Sequence, residues 1–388
     1  MNPRADLQGS RPSSLVVLES GVEVLLPAIA KPVLIPSFWL KLAASKDSTY
    51  ANISAEWTDG SNFQRFGNSE SDISVCDSDM IQTASLNELA GTLEVVWRNG
   101  LHHEFSLEEL HERILRSEVA LPYARVPWHS HTQFPEFDYG NVMTSRASLL
   151  ELLDSFLQYG MAFLNGAPRD ESEILNAATR FSAVQPTHLG ETFRLRGTAN
   201  ASNLGETADA ISLHIDLVYK QHPPDIQLLH VLKPADEGGE NVFVDALQVI
   251  EQLEKEDVRL LRTTPVVFMA KSGTVDFRGV HTILAFDDST RFQSVRHNEH
   301  KMVLPVETPI EFYRAFLRFR DIIERQENSL SIRLPADSMV IFDNARILHG
   351  RRSFKGVDRD VVGCFLSEDD LLSKWRLLKR AATVSPPG

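Results

Sequence analysis

The stretch Ser212-Leu-His-Ile-Asp-Leu-Val218 limits what this chain can fold into more than any other part of it. On a strand, residues two apart project from one face, so His214 and Asp216 would present an imidazole and a carboxylate side by side. A second histidine, His349, lies far downstream in Ile347-Leu-His-Gly-Arg-Arg-Ser353, directly after the β-type run Met339-Val-Ile-Phe342. A fold that uses all three must bring a late strand back beside an early one. Two imidazoles and one carboxylate on one face of an octahedral cation leave the opposite face open. That donor set suits Fe(II) with further ligands to bind.

His-x-Asp alone is a weak signal, because among 13 histidines about one such tripeptide arises by chance. His222, His230, His281, His297 and His300 are most simply surface or satisfied core histidines. The context is more selective. Gly238-Gly-Glu-Asn241 makes a tight turn into the apolar run Val242-Phe-Val-Asp245. On the last strand, Arg359, Val361, Gly363 and Phe365 alternate onto one face. Arg359 follows His349 by ten positions and offers a rigid fork of donors to the distal carboxylate of a co-substrate such as 2-oxoglutarate. Arg351 and Arg352 are the next candidates for that role, although their simplest reading is structural.

At 388 residues the chain has room for two domains or one large one. Residues 1–125 read as a small β-rich domain, with short runs such as Val22-Glu-Val-Leu-Leu26 and Leu93-Glu-Val-Val-Trp97, then a helix capped by Ser106. The Pro- and aromatic-rich stretch Pro122–Tyr139 reads as a linker. Residues 126–388 read as a β domain with helices outside it. One helix runs from Ala147 to Tyr159 and is closed by Gly160, and another starts at Thr308 with Pro309 in its first turn. Mainly β with flanking helices, as a double-stranded β-helix (jelly-roll) plus a smaller β-rich N-terminal domain, is the expected fold.

A net charge of −14 argues against nucleic acid and anionic membranes as partners. No apolar run approaches the roughly 20 residues of a spanning helix, and Met1-Asn-Pro-Arg-Ala-Asp6 begins no secretory signal. Only Cys76 and Cys364 are present, too few for a disulfide framework. These features point to a soluble cytoplasmic enzyme.

The segments His214-Ile-Asp-Leu, His222-Pro-Pro-Asp-Ile-Gln-Leu-Leu-His230, Gly238-Gly-Glu-Asn-Val-Phe-Val-Asp245 and His349-Gly-Arg-Arg-Ser-Phe354 resemble the γ-butyrobetaine and trimethyllysine hydroxylase branch of the taurine dioxygenase-like Fe(II)/2-oxoglutarate oxygenases. The resemblance spans about residues 137–377. It implies His214, Asp216 and His349 as iron ligands, Arg359 as the 2-oxoglutarate anchor, Asn241 as a further 2-oxoglutarate contact, O2 as co-substrate, and a dimer. Relatives of this kind carry an N-terminal zinc held by three cysteines and a histidine. The matching run Trp39-Leu-Lys-Leu-Ala-Ala-Ser-Lys-Asp-Ser-Thr-Tyr50 has no cysteine, and His102 or His103 marks the remaining histidine. No structural zinc is expected, since one histidine cannot make a tetrahedral site.

The resemblance also implies an aromatic cage for a trimethylammonium group. Its positions fall here on Leu189, Phe193, Glu206 and Phe365, so half of the aromatics are gone. Asn203 matches a residue that binds the substrate carboxylate, and Arg296 stands near a second such position. A compact zwitterion would suit this set, with its ammonium on Glu206, its carboxylate on Asn203 and Arg296, and an aliphatic side chain against Leu189, Phe193 and Phe365. Glu206 reads equally well as a solvated loop residue. The expectation is an oxygenase that hydroxylates, desaturates or cyclises a small amino acid-like substrate in specialised metabolite biosynthesis. The alternatives are a carnitine-pathway hydroxylase acting on γ-butyrobetaine or trimethyllysine, and a non-catalytic scaffold.

Overall fold

A computed structural model describes residues 15–18, 20–26, 32–37, 39–40, 80–87, 89–117, 123–196, 207–356 and 359–384. The chain divides into two compact units, residues 1–121 and 122–388. In the first, β1 (Leu15–Leu18), β2 (Gly21–Val24) and β3 (Val33–Pro36) form one antiparallel sheet. β4 (Ile81–Asn87), β5 (Thr92–Trp97) and β6 (His102–Ser106) form another, followed by helix α1 (Leu107–Ser117). Alternation buries Val22, Val24, Leu93, Val95 and Trp97 in a common core. The reversal after β5 uses Gly100 at φ +83°, a backbone conformation that favours glycine. Ser106 caps α1 as the sequence suggests, its Oγ accepting from the Glu109 N–H at 3.3 Å. His103 accepts a hydrogen bond from Trp97 Nε1 at 2.9 Å. From residue 41 on, the run that carries no zinc-binding cysteine lies outside the described residues.

The second unit begins with β7 (Glu136–Asp138), α2 (Tyr139–Thr144), α3 (Arg146–Tyr159), β8 (Met161–Asn165), α4 (Glu173–Phe181) and β9 (Thr192–Arg196). Then come β10 (Ile211–His214), β11 (Ile226–Lys233), β12 (Glu237–Gly238), β13 (Asn241–Asp245), α5 (Ala246–Gln252) and α6 (Lys255–Thr263). The strands β14 (Val266–Lys271), β15 (Asp276–His281), β16 (Leu284–Phe286), β17 (Phe292–Val295) and β18 (Met302–Val303) precede α7 (Ile310–Ile323). The chain closes with β19 (Ser329–Ile332), β20 (Ser338–Asp343), β21 (Ile347–Arg351), β22 (Phe354–Lys355), β23 (Asp360–Leu366) and α8 (Glu368–Val384).

A major sheet of order β7-β8-β20-β11-β23-β9 packs against a minor sheet of order β10-β21-β13-β19. Successive strands cross between the two: β10 minor, β11 major, β13 minor, and later β19 minor, β20 major, β21 minor, β23 major. This is a double-stranded β-helix. Leu229, Val231, Val340, Phe342, Val361 and Phe243 fill the space between the sheets. The outward face of the major sheet packs on α3, α4 and α8, and that of the minor sheet on α5, α6 and α7. Strands covered on both sides read as apolar runs, which is why Met339–Phe342 is wholly apolar and Ile226–Val231 is broken only by Gln227 and His230. Among the described residues, no helix is long and apolar enough to cross a membrane.

Two readings need correction. Part of the stretch read as a linker is packed into the second unit. Trp128 is 1% exposed, donates from Nε1 to the Tyr159 carbonyl at 2.8 Å and from its backbone N–H to Asp245 Oδ2 at 3.2 Å. An indole buries large apolar area once its N–H finds an acceptor. Helix α7 starts at Ile310, with Pro309 rather than Thr308 at its N-cap, because the Phe312 N–H bonds back to the Pro309 carbonyl.

Asp245 and Arg346 form a fully buried ion pair. Arg346 Nε and Nη2 grip both carboxylate oxygens at 3.0 and 2.8 Å, and the remaining donors take the Gln158 and Val126 carbonyls. The pair ties β13, α3 and the 123–135 segment to the start of β21. Arg346→Ala should destabilise the fold by about 3–5 kcal/mol, because it strands a buried carboxylate. A urea midpoint indistinguishable from wild type would remove the pair from this role.

Candidate active site

The antiparallel pairing of β10 with β21 sets His214 directly opposite His349, with their ring centroids 4.4 Å apart. β21 also pairs with β13, where Phe243 lies opposite His349. The strand expected over 212–218 ends at His214, so Asp216 does not sit on it. The chain leaves the ladder there because other partners take its donors. The Ile215 N–H bonds to the His297 carbonyl at 2.9 Å, and the Asp216 N–H to Asn344 Oδ1 at 2.8 Å. Leu217 then adopts φ 53°, an uncommon left-handed conformation for a branched side chain. This turn, not strand alternation, returns the Asp216 carboxylate to the imidazoles.

His214 Nε2 lies 3.3 Å from Asp216 Oδ1, and His349 Nε2 lies 3.8 Å from Asp216 Oδ2. One ligand atom from each residue falls within 4.8 Å of the others. His214 Nδ1 is 2.9 Å from the Ser212 carbonyl, which can only accept, so Nδ1 carries a proton and Nε2 is the ring atom turned to the carboxylate. The His349 ring rests on Phe342 at 4.8 Å. Burial works against the charge on Asp216, but hydrogen bonds and charges from both imidazoles hold its carboxyl well below the usual carboxylate range. Burial also opposes charge on His214, and Asp216 outweighs it to raise that imidazole. His349 is lowered, by burial first and by His214 second. An ionised carboxylate among nitrogen donors fits Fe(II).

A second polar feature lies toward β23. Asn241 and Arg359 line one small cavity with Gly239, Leu334 and Val361. Arg359 is 5% exposed, and among the described residues no carboxylate pairs with it. Burial, then the charge of Arg351, pushes its pKa down to about 10. A buried guanidinium beside another cation calls for an anion, and its fork matches a carboxylate. These residues fit the distal end of 2-oxoglutarate. Arg351 is otherwise engaged, donating to the Thr207 and Asp209 carbonyls at 2.6 and 2.7 Å. It clamps the approach to β10 onto β21.

The remaining expected site residues are spread out. Phe193 packs on Phe365 in a tilted arrangement, with ring centroids 5.2 Å apart and the planes at 32°. The Phe193 ring covers Gly363, where a Cβ would lie 2.2 Å from Phe193 Cζ. Leu189 is 46% exposed, in the turn closed by Thr187 and Gly190. Burial lowers the pKa of the Arg296 guanidinium, and the nearby charges of Asp343 and Asp225 oppose that only in part. Asn203 and Glu206 lie outside the described residues.

Sequence reasoning missed two groups that hold Asp216. Gln227 Nε2 donates to Asp216 Oδ2 at 2.8 Å. Asn344 accepts from the Asp216 N–H and donates through Nδ2 to the carbonyls of Asp216 and Pro224 at 3.2 and 2.9 Å. A lone amide in the apolar run Ile226-Gln-Leu-Leu229 is the signal that could have found Gln227. Tyr219 also comes close enough to Asp216 to feel its charge. Burial first, then that charge, raises its pKa to about 12.

Residues 124–365 match the family described as Taurine catabolism dioxygenase TauD, TfdA family. The gamma-butyrobetaine dioxygenase of Pseudomonas sp. (strain AK-1) is 30% identical over 286 residues, which cover 72% of this chain and 73% of that protein. The human gamma-butyrobetaine dioxygenase is 26% identical, with 74% and 79% covered. The mitochondrial trimethyllysine dioxygenase of Rattus norvegicus is 28% identical, with 76% and 74% covered.

His214→Ala, Asp216→Ala and His349→Ala should each weaken Fe(II) binding by more than the roughly 10–100-fold that loss of an outer partner costs. Equilibrium dialysis under argon measures this. Wild-type affinity in any one of them would exclude that residue as a ligand.

Proposed function

From the premise that the chain belongs to the TauD, TfdA family and is an Fe(II)/2-oxoglutarate-dependent oxygenase, we propose that it oxidises an aliphatic C–H bond of a small amino acid-like substrate. The outcome is hydroxylation, desaturation or ring closure, in the biosynthesis of a specialised metabolite. In this reading His214, Asp216 and His349 hold the iron, Arg359 takes the distal carboxylate of 2-oxoglutarate, and Asn241 adds a hydrogen bond. When bound, iron with 2-oxoglutarate and O2 supplies the oxidising power that breaks the C–H bond. The protein's own contribution is placement. The Ser212 carbonyl fixes the His214 tautomer, Phe243 and Phe342 keep the floor of the site apolar, and the buried Arg359 orients the co-substrate.

The observation that carries the substrate class is the packing of Phe193 on Phe365. Phe365 lies opposite Gln227 in the sheet, and Gln227 touches Asp216, so this pair walls the site. Two rings packed on each other at a 32° tilt turn part of their faces to one another, and Leu189 has no π face at all. A trimethylammonium group would lose roughly 0.5–2 kcal/mol for each missing aromatic wall. An aliphatic chain meets no such loss. We assign an ordinary ammonium to Glu206, and the substrate carboxylate to Asn203 and Arg296.

The identity to a gamma-butyrobetaine dioxygenase favours a second reading, a carnitine-pathway hydroxylase. Substrate-dependent O2 and 2-oxoglutarate consumption separates the two. Free amino acids should stimulate turnover more than γ-butyrobetaine or trimethyllysine, and γ-butyrobetaine as the best substrate would overturn the proposal. Glu206→Gln should weaken amino acid binding by about one to two powers of ten and leave uncoupled 2-oxoglutarate decarboxylation largely intact. Arg359→Lys should raise the 2-oxoglutarate KM more than the KM for the prime substrate, since an ammonium cannot copy the fork. Equal effects on both would move the anchor elsewhere.

A further inference from the structure

We propose that Gln227 is a positioning residue that occupies one oxygen of Asp216 and so dedicates the other to the cation. The inference rests on the reading of His214, Asp216 and His349 as the iron site. Gln227 is 1% exposed on β11, within a run of apolar residues. A carboxylate only accepts, so the amide nitrogen must be the atom 2.8 Å from Asp216 Oδ2, and the amide oxygen must point away. That oxygen is buried and has no hydrogen-bond partner among the described residues.

An amide on a strand with apolar neighbours is costly to bury unless it is hydrogen-bonded. The bond that its nitrogen makes to Asp216 Oδ2 is the contact that accounts for a polar residue at this position. Asp216 sits beyond the end of β10, on a turn held by Asn344 and by the left-handed Leu217. Strand pairing does not fix its side chain. Gln227 supplies the missing restraint from the opposite sheet and pins Oδ2. Oδ1, 3.3 Å from His214 Nε2, is left to coordinate. Without the donor Oδ2 keeps only the longer 3.8 Å approach of His349 Nε2, and the carboxylate can turn to present both oxygens. The second oxygen would then compete for the positions that 2-oxoglutarate and O2 need.

Gln227→Leu and Gln227→Met test this with three readouts: the melting temperature of the metal-free protein, Mn(II) affinity, and the visible absorption of the Co(II)-substituted protein. The metal-free melting temperature should fall only modestly, because Asp216 loses one donor but keeps His214 Nε2 at 3.3 Å. Mn(II) affinity should fall by about 10–100-fold, the range expected for an outer partner of a ligand. The Co(II) spectrum should shift as the carboxylate changes its coordination. Wild-type affinity with a wild-type Co(II) spectrum in both variants would overturn the proposal. Failure of both variants to fold, or a lower melting temperature with unchanged affinity, would assign Gln227 to the fold and overturn it as well. Mn(II) binding that survives Asp216→Ala would overturn the iron-site reading too. Binding lost in Asp216→Ala but untouched in the Gln227 variants would overturn this inference alone.

Discussion

The pairing of β21 with β10 is the contact on which the rest of the site depends. It places an imidazole from late in the chain directly opposite one from the middle. Closing so long a loop costs chain entropy, although the cost grows only slowly with length. What offsets it is burial on both faces of both sheets, with an apolar filling between them. The site forms at the edge of that filling, where His349 rests on Phe342 and lies opposite Phe243. A packed floor of this kind leaves the histidine little freedom to move.

Charge inside the catalytic unit is arranged against the sign of the whole chain. The protein carries a net −14, yet Arg351 and Arg359 are both buried near one another, each with its pKa pushed down to about 10, chiefly by burial. Just beyond the end of β10, Asp216 is held ionised between two imidazoles. One end of the site therefore favours a carboxylate and the other a cation. A ligand with a carboxylate at one end and metal-chelating oxygens at the other satisfies both. Arg346 and Asp245 are different: their charges cancel and every side-chain nitrogen of Arg346 is hydrogen-bonded, so they brace the fold.

Much of this was legible in the residues. That His214, Asp216 and His349 come together was legible from residue type and motif, and Arg359 stood out as a candidate because it stands at the mouth of a clear apolar strand. The double-stranded β-helix followed from many short apolar strands with helices outside them. Other features depend on tertiary partners that no local pattern encodes. Strand periodicity gave the right neighbour for Asp216 by the wrong route, since a bond to Asn344 and the left-handed Leu217 take it off the strand. Trp128 read as linker because its partners, Tyr159 and Asp245, are distant in sequence. The surroundings of Arg296, set by Asp225 and Asp343, were equally invisible. Gln227 was visible as an anomaly in an apolar run, but its contact with Asp216 depends on the tertiary fold.

The central claim is that one chain holds one iron at His214, Asp216 and His349, with 2-oxoglutarate chelating it and reaching Arg359. The direct measurement is an anaerobic titration of Fe(II) into the protein with 2-oxoglutarate present, followed by the visible charge-transfer absorption of an iron-bound keto acid. The account predicts a band that saturates at one iron per chain and is absent from Asp216→Ala. No band in the wild-type protein, or a band of full intensity in Asp216→Ala, would contradict it.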